Sequence, residues 1–133
     1  ILDYLAQQRR ILALAGGACY RALAETPVRT HPPRGGFYLF LDFSPLADQL
    51  TARGIENSDA LCSRILEETG VGILPGSSFG MDPAMLSARL AYVDFDGDAA
   101  LEAARGISLD TPLPDHFLAQ HAPRLLEGMD ALC

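Results

Sequence analysis

The residue with most to offer chemically is an arginine inside an apolar strand. Ser87-Ala88-Arg89-Leu90-Ala91-Tyr92-Val93 reads as extended chain, and a period of two puts Arg89, Ala91 and Val93 on one face. A guanidinium there is costly to bury unless an anion meets it. Its planar fork suits a carboxylate through two parallel N–H···O bonds. That carboxylate belongs either to a ligand or to a structural partner, Asp42 or Asp94. A solvated edge arginine is the third reading.

Other patterns offer less. Gly76-Ser77-Ser78-Phe79-Gly80 fits the G-x-S-x-G nucleophile elbow, with Asp94 and then His116 or His121 in the hydrolase order, and His31 with Gly35-Gly36 upstream like an oxyanion loop. An elbow needs a strand entering its serine and a helix leaving it. Here Pro75 precedes and Met81-Asp82-Pro83 follows, so a glycine-shaped loop is the expectation and Ser78 is not expected to be a nucleophile. Asp94-Phe95-Asp96-Gly97-Asp98 begins like a calcium loop, but the frame puts Ala99 at the glycine and Arg105 at the glutamate, which leaves a capped turn. His116 and His121 lie five apart, off the spacing of a helical metal pair. Cys19, Cys62 and Cys133 form no CxxC, so they read as reduced, mostly buried thiols of a cytosolic protein.

These residues need elements to hold them. Ile1 to about Ala24 reads as a helix with Leu5, Leu12, Cys19 and Leu23 in one stripe and Leu2 and Ile11 beside it. Gly16-Gly17 inside it implies a kink or a close contact. Val28 to His31 is expected as a short strand. Phe37 to Phe43, six of whose seven residues are aromatic or leucine, is expected as a strand covered on both faces. A short helix starts at Ser44-Pro45 and stops at Gly54. Another, capped by Asn57 or Ser58, turns Leu61, Cys62, Ile65 and Leu66 inward and ends at Gly70. Val71–Leu74 and Ser87–Val93 are further strands. Asp96 caps a helix that closes at Gly106. The tail from Asp115 looks helical, with Leu125, Met129 and Leu132 in register and Pro123 interrupting. The fold class is α+β, a small sheet covered by helices, and no composition shift divides residues 1–133 into more than one domain.

The composition bounds the function. The chain has 133 residues, 49% hydrophobic and 20% charged, which suffices for a core. A net charge of -7 argues against a nucleic-acid partner. No apolar run approaches the ~18 residues of a membrane span, and no leader is read at the start. All ten basic residues are arginine, so no lysine chemistry is complete within this chain. Both termini fall in or beside apparent helix, which gives the expectation of a fragment of a longer protein.

The order of motifs resembles the C-terminal small domain of class I/II aminotransferases, the fold type I pyridoxal-phosphate enzymes. The resemblance runs over roughly residues 1–107. It rests on Pro33-x-Gly35-Gly36-Phe37-Tyr38-Leu39-Phe40, the helix ending Glu67-Glu68-Thr69-Gly70-Val71, Leu74-Pro75-Gly76-Ser77-Ser78-Phe79-Gly80, and Arg89-Leu90-Ala91-Tyr92. It implies that Arg89 binds the substrate α-carboxylate, that the Pro75–Gly80 loop lies near the active-site mouth with Phe79 as a substrate-binding residue, and that Gly36 and Phe37 approach and bind the substrate too. It makes residues 1–24 the connecting helix and leaves 108–133 as a tail matching no family feature. The implied activity is transfer of an amino group between an amino acid and a 2-oxo acid. Pyridoxal 5'-phosphate and its Schiff-base lysine would then belong to the large domain of the same chain, in a cytoplasmic homodimer, and the fragment alone would be inactive. The alternatives are a non-catalytic domain of aminotransferase-like fold that binds small carboxylates or regulates, and, further off, a piece of a serine hydrolase.

Overall fold

The computed structural model describes residues 1–133. Its first element, α1 (Leu2–Ala24), is one continuous helix. Ile11, Ala15, Cys19 and Leu23, spaced four apart, form its buried stripe, while Leu2 and Leu5 face outward. Of the expected stripe Leu5 is exposed and Leu12 only partly buried, since the buried positions begin at Gln7 and Ile11, about one and a half and two and a half turns into the helix. The glycine pair does not interrupt the helix. A Cβ on Gly16 would stand 2.8 Å from Tyr92 Cζ and 2.9 Å from Pro33 Cγ, so this glycine lets helix and sheet approach closely.

The sheet is antiparallel, in the order β1–β3–β2, formed by β1 (Tyr38–Asp42), β2 (Leu74–Pro75) and the central β3 (Ser87–Ala91). The strand expected at Val28–His31 reduces to one bridge, in which Arg29 and Asp42 exchange backbone bonds of 2.9 and 2.8 Å. Val71–Leu74 shifts to the two residues of β2. Pro75 has no N–H to continue a ladder and sits on the edge, where proline is tolerated.

Helix α2 (Ala47–Ala52) follows a 3-10 turn at Ser44–Leu46. Helix α3 (Ser58–Thr69) is capped by the Asn57 side chain, which accepts from the Ala60 N–H at 2.8 Å, and ends at Gly70 with φ 75°. Leu61 and Cys62 are buried, whereas Leu66 is exposed. Helix α4 (Gly97–Arg105) is capped by Asp96, which accepts from the Ala99 N–H at 3.1 Å. The acidic run at Asp94 is thus a capped turn, as its failed calcium frame indicated. Helices α5 (Phe117–His121) and α6 (Pro123–Leu132) form the tail, with Pro123 opening α6, where its missing N–H costs nothing.

One cluster of buried side chains joins the inner sheet face (Leu39, Leu41, Ala88, Leu90, Tyr92) to α1, α3, α5 and α6. The tail is part of this core through Leu118, Ala122, Leu125 and Met129. A smaller cluster of Ile11, Ala100, Ala104 and Phe117 holds α4 and α5 to α1. The helices cover one face of the sheet only. Tyr38 and Phe40 are 39% and 41% exposed on the other, which corrects the expectation that both faces of β1 are covered. No helix is long and apolar enough to cross a membrane.

Candidate functional site

Arg89 stands at the middle of the central strand, opposite Phe40 of β1 on one side and Leu74 of β2 on the other. Its neighbours Ala88 and Leu90 are buried in the core, so the alternation of the strand sends Arg89 to the open face. There its Cζ lies 4.0 Å from the centroid of the Tyr38 ring and 4.1 Å from that of Phe79. Cation–π attraction explains both contacts, and the arginine's weak hydration makes it the cation suited to them.

Neither proposed carboxylate partner reaches it. Asp42 accepts from the Ser44 N–H at 2.9 Å and from the Ser44 hydroxyl. Partial burial works to raise the Asp42 pKa, but the Ser44 bonds and the charge of Arg29 outweigh it and hold the carboxyl below its ordinary value. Asp94 pairs with Arg124 at 3.6 Å. The Arg89 guanidinium takes part in no ion pair and no hydrogen bond within the chain.

The loop that carries Phe79 is fixed at several points. A 3-10 turn spans Gly76–Phe79 and closes on Gly80 at φ 80°, a left-handed conformation that favours glycine. Gly76 lies against β3 so closely that an added Cβ would overlap Ser87 Oγ. The Ser77 hydroxyl meets both oxygens of Asp59, in the first turn of α3, at 3.1 Å each. The capped start of α3 thereby ties down the turn that brings Phe79 onto Arg89.

The same geometry disposes of the nucleophile elbow. A two-residue strand enters, the 3-10 turn leaves into β3 without a helix, and the Ser78 hydroxyl has no hydrogen-bond partner. His121 is engaged with the Phe117 ring, at a centroid distance of 4.7 Å.

Neither Gly36 nor Phe37 is among the groups that contact the guanidinium. Gly36 has φ 67°, and its carbonyl accepts from Tyr92 Oη at 3.1 Å. The Phe37 ring packs at 4.1 Å from that of Tyr38 and lines an apolar cleft of about 230 Å³ with Leu12, Phe95 and Leu101. Tyr38, to which the sequence reading gave no site role, is one of the two rings that touch Arg89. Its outward position beside Phe40 in the β1–β3 register was the available signal.

A second arginine was also missed. Arg10 of α1 donates through Nε to Gln7 Oε1 (2.8 Å), through Nη1 to the carbonyls of Ser108 (2.8 Å) and Thr111 (3.1 Å), and through Nη2 to those of Ala104 (2.5 Å) and Ile107 (2.7 Å). Every N–H of the guanidinium is used. It caps the end of α4, where unpaired carbonyls and the negative end of the helix dipole favour a cation.

The two buried thiols are unreactive by environment, while the exposed Cys133 is shifted upward by partial burial and by Asp130 but stays accessible. Burial raises Cys19 and Cys62 to about 11, with Cys133 adding at Cys19 and Asp59 at Cys62. Only Cys133 is exposed. Because the thiolate is the nucleophile, iodoacetamide at pH 8 should add one carbamidomethyl group, at Cys133, with Cys19 and Cys62 following only as pH climbs toward 11. Mass spectrometry of the native protein checks this, and early labelling of Cys19 or Cys62 would contradict the packing described here.

An α+β unit with helices on one face of its sheet, and on the other a half-buried arginine held by two rings, is the class of structure in hand. No protein-family model matches the sequence. Among curated proteins, the aspartate/prephenate aminotransferase of Cereibacter sphaeroides is 32% identical over 97 residues, which is 71% of this chain and 24% of that protein. The aspartate aminotransferase of Rhizobium meliloti is 38% identical over 68 residues, 50% of this chain and 16% of that one. A tetra mutant of Thermus thermophilus aspartate aminotransferase shows 26% identity and a TM-score of 0.44, over 74% of this chain and 22% of that one, too slight a likeness to argue from. The sequence matches make the chain a relative of part of the class I/II aminotransferases. It spans a quarter or less of the length of the curated relatives.

Proposed function

We propose that the chain is the C-terminal small-domain part of a pyridoxal-phosphate-dependent aminotransferase, in which Arg89 holds the α-carboxylate of the amino acid and of the 2-oxo acid. The observation that carries this is the state of Arg89, a guanidinium set on an open apolar face, against two rings, with no acidic partner in its own chain. A cation left unpaired on such a face is ready for an incoming anion, and the fork takes both oxygens of a carboxylate at once. Two bonds fix the orientation of the substrate as well as its place. Such positioning is worth several kcal/mol of barrier in favourable cases, on the order of 7 or more.

This chain does not fit the role of cofactor holder. It has no lysine to meet the aldehyde of pyridoxal phosphate, and the side chains gathered at Arg89 are hydrocarbon ring faces. Holding the cofactor and moving the amino group fall, on this reading, to the large domain of a longer chain, in a cytoplasmic homodimer. The names of the relatives suggest aspartate or prephenate among the substrates.

The test compares the full-length enzyme with this chain alone. With pyridoxal phosphate, an amino acid and a 2-oxo acid, the full-length enzyme should transaminate, and borohydride should trap the cofactor on a lysine outside these residues. The isolated chain should do neither. A full-length protein that binds small carboxylates without amino transfer would instead support a regulatory relative of the fold, and a stoichiometric borohydride adduct on the isolated chain would overturn the reading.

A further inference from the structure

The two rings on Arg89 have no hydrogen-bonding or core-filling duty that would explain their placement. Tyr38 and Phe79 are 39% and 42% exposed, on different elements, yet both converge on one guanidinium. Phe79 is brought there by a built device: the Gly76 contact with Ser87, the Ser77–Asp59 bonds and the left-handed Gly80. Tyr38 is brought there by the β1–β3 register, which places it diagonally from Arg89, within the reach of an aromatic side chain.

Resting on the carboxylate role of Arg89, we propose that Tyr38 and Phe79 are positioning residues that hold the guanidinium plane so that its edge N–H groups, and not its faces, meet the substrate carboxylate. Phe79 thus acts through Arg89, where the motif alone suggested that it touches the substrate. An arginine side chain has four rotatable bonds and loses much rotamer entropy when a ligand fixes it. Rings held 4.0 and 4.1 Å from the guanidinium carbon impose that loss before the substrate arrives, which is preorganisation. They also shed water from the faces, which strengthens the bonds made at the edge. The clamp is aromatic in character, so another aromatic ring should serve and an aliphatic side chain of similar bulk should not.

Steady-state kinetics of the full-length holoenzyme test this with Phe79→Leu, Tyr38→Leu, the double variant, Phe79→Tyr and Arg89→Leu. Each is assayed on an amino acid and on the corresponding amine lacking the carboxylate. Phe79→Leu and Tyr38→Leu should each raise KM for the amino acid roughly fivefold, with kcat changed less than twofold, and the double variant about tenfold or more. Phe79→Tyr should restore the parent KM, and the amine should be indifferent to all four ring variants. Three results would overturn the clamp: an unchanged KM in both single variants while Arg89→Leu loses the preference for the amino acid; equal losses on amino acid and amine together with a lowered Tm; or a Phe79→Tyr as impaired as Phe79→Leu. If Arg89→Leu itself keeps the preference for the amino acid, the carboxylate reading fails and the clamp with it. Phe79 sits on an exposed turn, so its variants remain informative should Tyr38→Leu fold poorly.

Discussion

Arg89→Leu in the full-length enzyme should cut kcat/KM for amino acids by at least tenfold and leave that for amines without an α-carboxylate nearly unchanged. Leucine removes both the charge and the fork. A hydrogen bond to a charged group contributes about 1.5–3 kcal/mol, and each 1.4 kcal/mol is tenfold, so two parallel bonds put the loss at about a hundredfold or more. The fold should persist. Leucine suits a strand, Arg89 has no ion pair to lose, and its place faces outward from the core. A structural role for Arg89 implies the opposite pattern, a lowered Tm and a loss shared by both substrate types. Arg89→Lys separates charge from geometry. It keeps the cation but gives up the second parallel bond and the flat surface that Tyr38 and Phe79 cover, so its kcat/KM should fall between parent and leucine variant.

Arg10→Leu should leave substrate preference alone and lower stability sharply. It releases four carbonyls at the end of α4 and the loop behind it, plus the Gln7 amide oxygen. Part of that site is open to water, which re-solvates some of the carbonyls and limits the damage. Two or three charge-assisted bonds lost without replacement come to about 3 kcal/mol, or roughly 10 °C in Tm for a domain of this size. The second cluster, Ile11, Ala100, Ala104 and Phe117, should loosen with it, since Arg10 is the polar pin beside that packing. Calorimetry of the variant, with hydrogen exchange over residues 97–111, measures both effects. An unchanged Tm would show that the Arg10 bonds merely replace bonds to water.

How legible these two arginines were differs for a physical reason. Arg89 is a charge interrupting an apolar strand, so its cost and its need of a partner show in seven consecutive residues. Arg10 follows Arg9 on a helix and looks like any solvated basic residue. Four of its five partners lie 94 to 101 residues away and are backbone carbonyls, which carry no sequence signature. The helix caps at Asn57, Gly70 and Asp96 were readable because the capping chemistry is local. The open face of β1 was not. A run of aromatics and leucines looks the same whether its outer rings meet helices, an arginine or solvent. Leu2 and Leu5 likewise continue a helical pattern past the point where this chain offers anything to pack against. Gly16 was legible as an anomaly, but only the structure decides between a kink and the approach of Tyr92.

The most direct measurement is a crystal structure of the full-length holoenzyme with a 2-oxo acid bound. The expected result is both carboxylate oxygens on the Arg89 guanidinium, with N···O distances of about 2.7–2.9 Å, and its faces still against Tyr38 and Phe79. A 2-oxo acid bound with its carboxylate on other residues, and Arg89 left against its rings without it, would contradict the function proposed for this chain.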